Sequence, residues 1–241
     1  MWSKETRDFQ TMDNAFLNQL TEDMYKMPRK IALVAVTKYV GIDETNEVIR
    51  AGVSAIGENR IEDAEKKFPD LLPVDSTDST SSPQSGSPQV EKHFIGQIQS
   101  RKIKRIVELF DVIQSVGSIE HLQKIEDEAI KQRRDTRVLL QFNISEEKQK
   151  SGFNRNEIEK ITTAISTIHR VKIIGVMGMA SQTSDEDIVR KQFQLLKSIR
   201  DELHATYPTI TELSMGMSDD YKIALEEGAT MLRIGRALFR D

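Results

Sequence analysis

The sequence of 241 residues contains no cysteine, and this absence excludes several kinds of site at once. Without thiolates there can be no disulfide, no catalytic cysteine, no iron–sulfur cluster and no cysteine-bound zinc. The four histidines are scattered, and no pair has the H-x-x-x-H spacing that places two ligands on one helix face. We therefore expect no metal site.

Long apolar runs and an excess of positive charge are also missing. No segment approaches the run of about 18 apolar residues that indicates a transmembrane helix. The polar stretch 1–10 lacks the apolar centre of a secretory signal. The formal net charge is -4, which is unlike the basic footprint of a nucleic-acid-binding protein. We expect a cytoplasmic protein that binds neither nucleic acid nor membrane.

What the sequence does contain is an alternation of short apolar segments with amphipathic ones. A strand of a parallel sheet is covered on both faces, so it is typically a continuous apolar run. The helices between the strands show apolar residues at spacings of three and four. The predicted strands cover residues 31–36, 53–57, 93–96, 112–116, 137–144, 171–179, 211–214 and 231–234. The predicted helices cover residues 4–26, 43–51, 58–67, 99–109, 118–133, 154–168, 185–205 and 218–227.

Eight strand–helix units in a chain of this length predict a single TIM (β/α)8 barrel domain over 1–241, with an extra N-terminal helix. An open doubly wound sheet is the alternative. It would require a glycine-rich fingerprint after the first strand, where this chain has only Gly41. Residues 73–89 contain six serines, three prolines and no aromatic residue, which predicts a flexible insert.

Barrel proteins carry their sites at the carboxyl ends of the strands, and Lys38 follows the first strand directly. Its stem then starts near the core, where partial loss of hydration favours a neutral amine that attacks carbonyl groups. The other interpretation is an ordinary strand-end lysine that extends to solvent. Position alone favours this second interpretation.

The last two strands favour the first interpretation, because loops at this place in barrels often bind phosphate. Gly216 allows a close backbone approach, and Ser218 is expected to cap the next helix and offer its hydroxyl to an anion. Arg233 and Gly235 add a cation and another amide. With Lys38, these residues form an amine beside a phosphate cradle, which is the arrangement that pyridoxal phosphate requires.

Segments in this order along the chain resemble the pyridoxal phosphate homeostasis protein family, which is similar to the N-terminal barrel of alanine racemase. The resemblance implies the fold type III barrel that binds pyridoxal 5'-phosphate. It spans nearly the whole chain outside 73–89. The matching segments are LVAVTK (33–38), IGENRIE (56–62), HFIGQIQS (93–100), NIS (143–145), KSGF (150–153), LSMGMSDD (213–220) and RIG (233–235).

The resemblance also implies roles for individual residues. Lys38 matches the lysine that forms the Schiff base. Ser218, Gly235 and the backbone amide of Arg236 match positions that contact the phosphate. Arg233 matches the arginine that faces the pyridine nitrogen. Because arginine donates hydrogen bonds and does not accept them, it favours an unprotonated pyridine and therefore a weaker electron sink.

Further matches place Asn59 near the cofactor, with Met215 and Met217 flanking it. Two positions depart from the family's usual residues. Thr37 stands where serine is frequent, and Ile56 stands where phenylalanine is frequent. Both replacements keep the type of side chain, so the role implied for Lys38 is unaffected.

A further question is whether a protein with this resemblance is an enzyme. Alanine racemase needs a tyrosine from a second domain across its dimer, and eight strands use almost all of this chain. The sequence places none of Tyr39, Tyr207 and Tyr221 opposite Lys38. We therefore expect a monomeric, non-catalytic carrier that holds the cofactor and passes it to apo-enzymes, in vitamin B6 and amino-acid homeostasis. A low-activity racemase is one alternative. A barrel with an aldolase-like lysine and another phosphorylated ligand is the second.

Overall fold

The computed structural model describes residues 11–73, 89–145, 147 and 151–240. Its centre is a closed barrel of eight parallel strands, β2 to β9, arranged in chain order. The barrel closes where Ala32 of the first of these strands pairs with Met231 of the last. The strands are β1 (Thr11–Met12), β2 (Ala32–Val36), β3 (Ala55–Glu58), β4 (Glu91–Phe94), β5 (Val112–Val116), β6 (Thr136–Phe142), β7 (Val171–Gly178), β8 (Glu212–Ser214), β9 (Met231–Ile234) and β10 (Phe239–Arg240).

Helices surround the barrel and cover the outward faces of its strands. The main hydrophobic core lies between the two layers, with fully buried residues such as Phe193 and Leu122 on the helices and Leu140 on a strand. The predicted TIM barrel is confirmed, and the doubly wound alternative is wrong because the sheet closes. The helices are α1 (Asn14–Tyr25), α2 (Ile42–Arg50), α3 (Ile61–Lys67), α4 (Ile103–Leu109), α5 (Ile119–Gln132), α6 (Ile158–Ile165), α7 (Glu186–Thr206) and α8 (Tyr221–Glu226).

The extra N-terminal helix is present, but it starts later than predicted. The Asp13 side chain accepts a hydrogen bond from the Phe16 N–H at 2.9 Å and caps α1 there. Thr11 and Met12 are extended and pair with β10, and residues 4–10 lie outside the described part. The Phe16 ring contacts the Tyr221 ring edge-on at 5.9 Å, so α1 packs beside α8.

The helix after β8 is shorter than the predicted 218–227, and Ser218 does not cap it. Residues 218–220 form a turn, and α8 begins at Tyr221 with Asp220 before it. The Ser218 Oγ instead accepts a hydrogen bond from the Ala237 N–H at 3.2 Å. The prediction failed because this hydroxyl is used between two loops rather than within one helix.

Two other predictions concern the flexible insert and the absence of a membrane-spanning helix. The flexible insert predicted at 73–89 lies outside them, except that Pro73 forms a bridge with Gln89 at its base. No helix in the described ranges is both long and apolar enough to cross a bilayer.

Candidate functional site

The site residues predicted from the sequence lie at the carboxyl ends of four adjacent strands, in the order β8, β9, β2 and β3. Lys38 follows β2, and Asn59 follows β3. The Thr37 N–H donates to the Gly57 carbonyl at 3.0 Å, which brings these two strand ends together. On the other side, Gly235 follows β9 and lies so close to β2 that an added Cβ would be 3.1 Å from the Val36 carbonyl oxygen.

Lys38 is half-buried, and its Nζ lies 4.7 Å from the centre of the exposed Tyr39 ring. Among the described residues, this amine has no hydrogen-bond or ion-pair partner. The contact with the ring face is a cation–π arrangement, which restrains the side chain without a hydrogen bond to the nitrogen. An amine in this position is available to react with a carbonyl.

A buried ion pair lies directly below Lys38. The Lys67 Nζ donates to the Glu58 Oε1 at 2.5 Å and to the Thr37 carbonyl at 2.6 Å. The Thr37 hydroxyl donates to the same Glu58 oxygen at 2.7 Å. Because Thr37 precedes Lys38, this network fixes the backbone from which the lysine side chain starts.

The position of Asn59 depends on a glycine of the next strand end. Asn59 is half-buried at the end of β3, and Gly96 packs against its backbone. A Cβ at Gly96 would stand 2.1 Å from the Asn59 carbonyl oxygen, closer than any real contact. Only glycine at residue 96 therefore lets the Asn59 backbone take this course.

Arg233 is the buried guanidinium of the site, with 5% of its surface exposed. Its Nη1 donates to the Ser214 Oγ at 2.7 Å and its Nη2 donates to the Gly178 carbonyl at 3.0 Å. Burial lowers the arginine pKa to about 10, an effect opposed by the negative charge of Asp220. Arg233 therefore stays charged at neutral pH and keeps further N–H groups to donate.

Ser218 and Met217 lie in the loop after β8. The Ser218 Oγ accepts from Ala237, so its own proton can be donated to another oxygen. The Met217 N–H donates to the Asp220 carboxylate at 2.6 Å, and burial raises the pKa of Asp220. Gly216 has a φ of +93°, a left-handed conformation that glycine adopts without strain, and this turn brings Ser218 beside the β9 loop.

The remaining predicted residues divide between the site and its surroundings. The Arg236 side chain is exposed and pairs with Asp219, so a role at the site would fall to its backbone amide, as the sequence indicates. Met217 is exposed at the mouth of the barrel, whereas Met215 is fully buried in the hydrophobic core. Of the two methionines expected to flank the site, the structure exposes only Met217.

The structure separates the three tyrosines considered above. The Tyr207 hydroxyl donates to the Thr162 carbonyl at 2.8 Å, and the Tyr221 hydroxyl lies 3.3 Å from the Asp23 carboxylate. Both hydroxyls are thus engaged in contacts on the helical layer. Tyr39 alone of the three lies beside Lys38.

Sequence reasoning missed the residues that support the site. Glu58 and Gly96 lie inside the segments IGENRIE (56–62) and HFIGQIQS (93–100), which carry the resemblance. Of the residues in these two segments, only Asn59 was predicted to belong to the site. Lys67 looked like an ordinary helix lysine, and Ser214 like a strand residue. The sequence carries no signal for Lys67, because its partners Thr37 and Glu58 are 30 and 9 residues away along the chain.

The donor set has a definite chemistry: a free amine, a buried guanidinium with spare N–H groups, and a hydroxyl beside a glycine-rich turn. These groups suit a ligand with an electrophilic carbon, a hydrogen-bond-accepting ring nitrogen and an anionic group. Pyridoxal phosphate has all three features. In the ranges that the structure covers, no cluster of His, Asp or Glu side chains could hold a metal ion.

Comparisons with known proteins agree with this chemistry. The family model described as "Alanine racemase, N-terminal domain" matches residues 16–241. The chain is 32% identical over 217 residues to a protein of Vibrio alginolyticus named pyridoxal phosphate homeostasis protein, covering 89% of this chain and 88% of that one.

Solved structures show the same architecture. PipY of Synechococcus elongatus PCC7942, in a structure with PLP bound, has a TM-score of 0.79 and 29% identity, over 92% of this chain and 99% of that chain. An alanine racemase of Clostridium difficile 630 has a TM-score of 0.69 at 14% identity, over 92% of this chain and 54% of that chain, and supports the fold alone.

Proposed function

Since the chain belongs to the pyridoxal phosphate homeostasis protein family, we propose that it binds pyridoxal 5'-phosphate as a Schiff base on Lys38. The proposal includes no turnover of substrates: the protein holds the cofactor for vitamin B6 and amino-acid homeostasis. The observation that carries it is the Lys38 amine, which has no hydrogen-bond partner within the described ranges and lies at the strand ends that also present Arg233 and Ser218.

The covalent step is a condensation of an amine with an aldehyde. The Lys38 Nζ forms a double bond to the aldehyde carbon, and the carbonyl oxygen leaves as water with two protons from the amine. Arg233 donates to the ring nitrogen, while Ser218 and the amides of Gly235 and Arg236 hold the phosphate. Asn59 and Met217 border the bound ring.

The same arrangement supports a holding role. Pyridoxal phosphate acts in catalysis by withdrawing electrons from an adjacent carbanion, most strongly when its ring nitrogen is protonated. Arg233 remains cationic and donates to that nitrogen, which opposes its protonation. The hydroxyls of Tyr207 and Tyr221 are engaged away from Lys38. The site therefore favours retention of the cofactor over turnover.

Borohydride reduction after incubation with pyridoxal phosphate tests the proposal. We expect an irreversible adduct on Lys38, located by mass spectrometry of the digested protein. Lys38→Arg keeps a positive charge and should give no adduct, while still showing weaker, phosphate-dependent binding. An adduct on another lysine, or a colourless wild-type protein without any adduct, would overturn the assignment. An adduct with a different carbonyl compound would favour the aldolase-like alternative.

One contact favours a low-activity racemase as a second candidate: Tyr39 lies beside Lys38 and could carry a proton. Such an enzyme would exchange the Cα proton of an amino acid for deuterium from D₂O, and Tyr39→Phe would abolish the exchange. Under the holding role, neither wild type nor Tyr39→Phe exchanges the proton at a useful rate. A panel of amino acids measured by NMR distinguishes the two.

Transfer to recipients is the remaining part of the proposal. We expect a cytoplasmic monomer that loads pyridoxal phosphate onto apo-enzymes faster than free cofactor does at the same concentration. Light scattering of the purified protein checks the oligomeric state. Recovery of activity in an apo-transaminase, started by the loaded protein or by free cofactor, checks the transfer.

A further inference from the structure

The interior of the barrel contains a line of polar side chains where aliphatic residues are usual. His93, Gln114 and Ser214 have no exposed surface, and they come from β4, β5 and β8. Other parts of the interior are apolar, as at Val112 and Leu139. Buried polar groups are tolerated only when they are hydrogen-bonded, so each of these side chains needs partners.

The partners form one continuous chain of hydrogen bonds from the amino-terminal end of the barrel to the candidate site. At the far end, the Glu91 carboxylate lies 2.5 Å from the His93 Nε2 and 2.7 Å from Arg137. The chain continues from the His93 Nδ1 to the Gln114 Nε2 at 2.8 Å. It then passes from the Gln114 Oε1 to the Ser214 hydroxyl at 2.7 Å.

The last link is Arg233, whose Nη1 donates to the Ser214 Oγ. The strand register shows where these side chains lie in the barrel. His93 pairs with Val112, so Gln114 lies one inward position above it, and Ser214 pairs with Met231, two residues before Arg233. Glu91 is the first residue of β4 and Arg233 lies near the carboxyl end of β9, so the hydrogen bonds as a whole lead from the amino-terminal end of the barrel to its mouth.

Every bond in the chain has a defined direction. The hydrogen bond from His93 and the nearby Arg137 lower the Glu91 pKa to about 2, so this carboxylate only accepts. His93 must therefore carry its proton on Nε2. The Gln114 amide nitrogen can only donate, which makes the His93 Nδ1 an unprotonated acceptor. The Gln114 oxygen then accepts from Ser214, and the Ser214 oxygen is left to accept from Arg233.

A flipped Gln114 amide would reverse the middle of the chain, and one contact opposes the flip. The Gln114 Nε2 also lies 3.1 Å from the Met231 Sδ. In the present orientation, one amide proton points to His93 and the other to the sulfur, a weak acceptor. After a flip, an oxygen would face the sulfur with no proton between them, and His93 would need a second proton.

We propose that this chain of hydrogen bonds makes His93 and Gln114 positioning residues for Arg233. Glu91, at the opposite end of the barrel, sets the direction of every hydrogen bond in it. The chain engages Nη1 of the guanidinium, and the Gly178 carbonyl engages Nη2. The guanidinium plane is thereby held in one orientation, with its other N–H groups left to donate to a ligand. The consequence for cofactor binding rests on the proposed function, whereas the orientation of Arg233 does not.

The first experiment uses the cofactor-free protein. ¹⁵N NMR of the His93 ring at neutral pH should show a protonated Nε2 and a bare Nδ1. Separate, slowly exchanging Nη–H signals of Arg233 should be visible, because its rotation is blocked. A doubly protonated ring, a proton on Nδ1, or averaged Arg233 signals would each overturn the proposal, whether or not pyridoxal phosphate binds.

Three variants separate positioning from general packing. His93→Leu removes both links at nearly constant volume, and we expect loss of the separate Arg233 signals and about fivefold to tenfold weaker binding of pyridoxal phosphate. His93→Gln offers an acceptor and a donor again and should restore both properties. Val112→Ala creates a cavity beside His93 outside the chain, and it should lower stability while leaving the Arg233 signals intact.

The outcomes distinguish the two proposals. If Val112→Ala and His93→Leu change the Arg233 signals equally, the chain of hydrogen bonds has only a structural role. If wild type shows the expected signals but does not bind pyridoxal phosphate, the proposed function fails and the positioning chain stands.

Discussion

Lys38 and Arg233 present nitrogen groups to the same end of the barrel, but the structure holds them in different ways. The Arg233 guanidinium is buried and tied by both of its terminal nitrogens. The Lys38 amine lies against the Tyr39 ring and has no hydrogen-bond partner among the described residues, and the hydrogen bonds on its side of the barrel fix the backbone instead. A residue that forms a covalent bond needs a free nitrogen, whereas a residue that orients a ligand needs a fixed one.

Lys38 and Arg233 also differ in how far the hydrogen bonds that support each of them extend through the barrel. Thr37, Glu58 and Lys67 lie immediately below Lys38, at the ends of β2 and β3 and on α3. The support of Arg233 crosses the barrel to Glu91 at its amino-terminal end. Local substitutions should therefore disturb the Lys38 side, and remote ones the Arg233 side.

The largest effect on stability is expected for Lys67→Met, which removes the cation below Lys38. Glu58 has no exposed surface, so its carboxylate would remain buried without a positive charge beside it, with only the Thr37 hydroxyl still donating to it. We expect a loss of about 3–5 kcal/mol in the free energy of unfolding, measured by urea denaturation. Lys66→Met on the exposed side of the same helix is the matched control and should change little. Equal losses for the two variants would contradict the assigned role of the ion pair.

A smaller loss is expected for Gly96→Ala, which tests the backbone at Asn59. The new Cβ cannot remain 2.1 Å from the Asn59 carbonyl oxygen, so the end of β3 must move. We expect about 1–3 kcal/mol of destabilisation together with weaker binding of pyridoxal phosphate by titration. In Gly41→Ala, the Cβ meets only the end of the flexible Glu44 side chain, and binding should be retained. Unchanged binding of pyridoxal phosphate in Gly96→Ala would show that Asn59 is not part of the binding site.

Acid denaturation tests the support of Arg233. The Glu91 pKa falls from 4.5 to about 2 in the folded protein, so its ionisation stabilises the fold above pH 4.5. That contribution is lost as the pH falls through about 2. With a third of the side chain exposed, we expect about 1–2 kcal/mol.

Glu91→Gln should therefore be less stable than wild type at neutral pH, with the difference narrowing between about pH 4.5 and 2. Urea midpoints measured across this range give the comparison. The exposed pair of Glu120 with Lys124 provides a control, and Glu120→Gln should follow the wild-type profile. A constant difference for Glu91→Gln at all pH values would show that the charge of Glu91 is not what stabilises the fold.

The smallest effect is expected for Tyr39→Leu, because the ring under Lys38 is exposed. An exposed cation–π contact contributes about 0.5–1 kcal/mol, so affinity for pyridoxal phosphate should fall no more than about fivefold. Tyr39→Phe keeps the ring face and should bind like wild type. A loss in Tyr39→Leu as large as that in Lys38→Arg would mean that Lys38 is held as firmly as Arg233.

The sequence predicted the barrel, and it predicted the strand ends that carry Lys38, Asn59, Arg233 and Ser218. It did so because continuous apolar runs are the direct signature of buried parallel strands. It was wrong at 11–13, which is extended up to the cap of α1, and at 218–220, where a distant residue engages the expected cap. Asp13 ends the extended segment before α1, and Ala237 engages the Ser218 hydroxyl that was expected to cap α8.

Residue order therefore accounts for the strand and helix alternation, and for an amine and an arginine at neighbouring strand ends, since these follow from local periodicity and from barrel geometry. The support beneath those groups depends on side chains that meet only in the folded protein. Ser214 and Gln114 are 100 residues apart along the chain and 2.7 Å apart in space. The closure of the sheet brings them together, and the low dielectric of its interior strengthens the hydrogen bond between them.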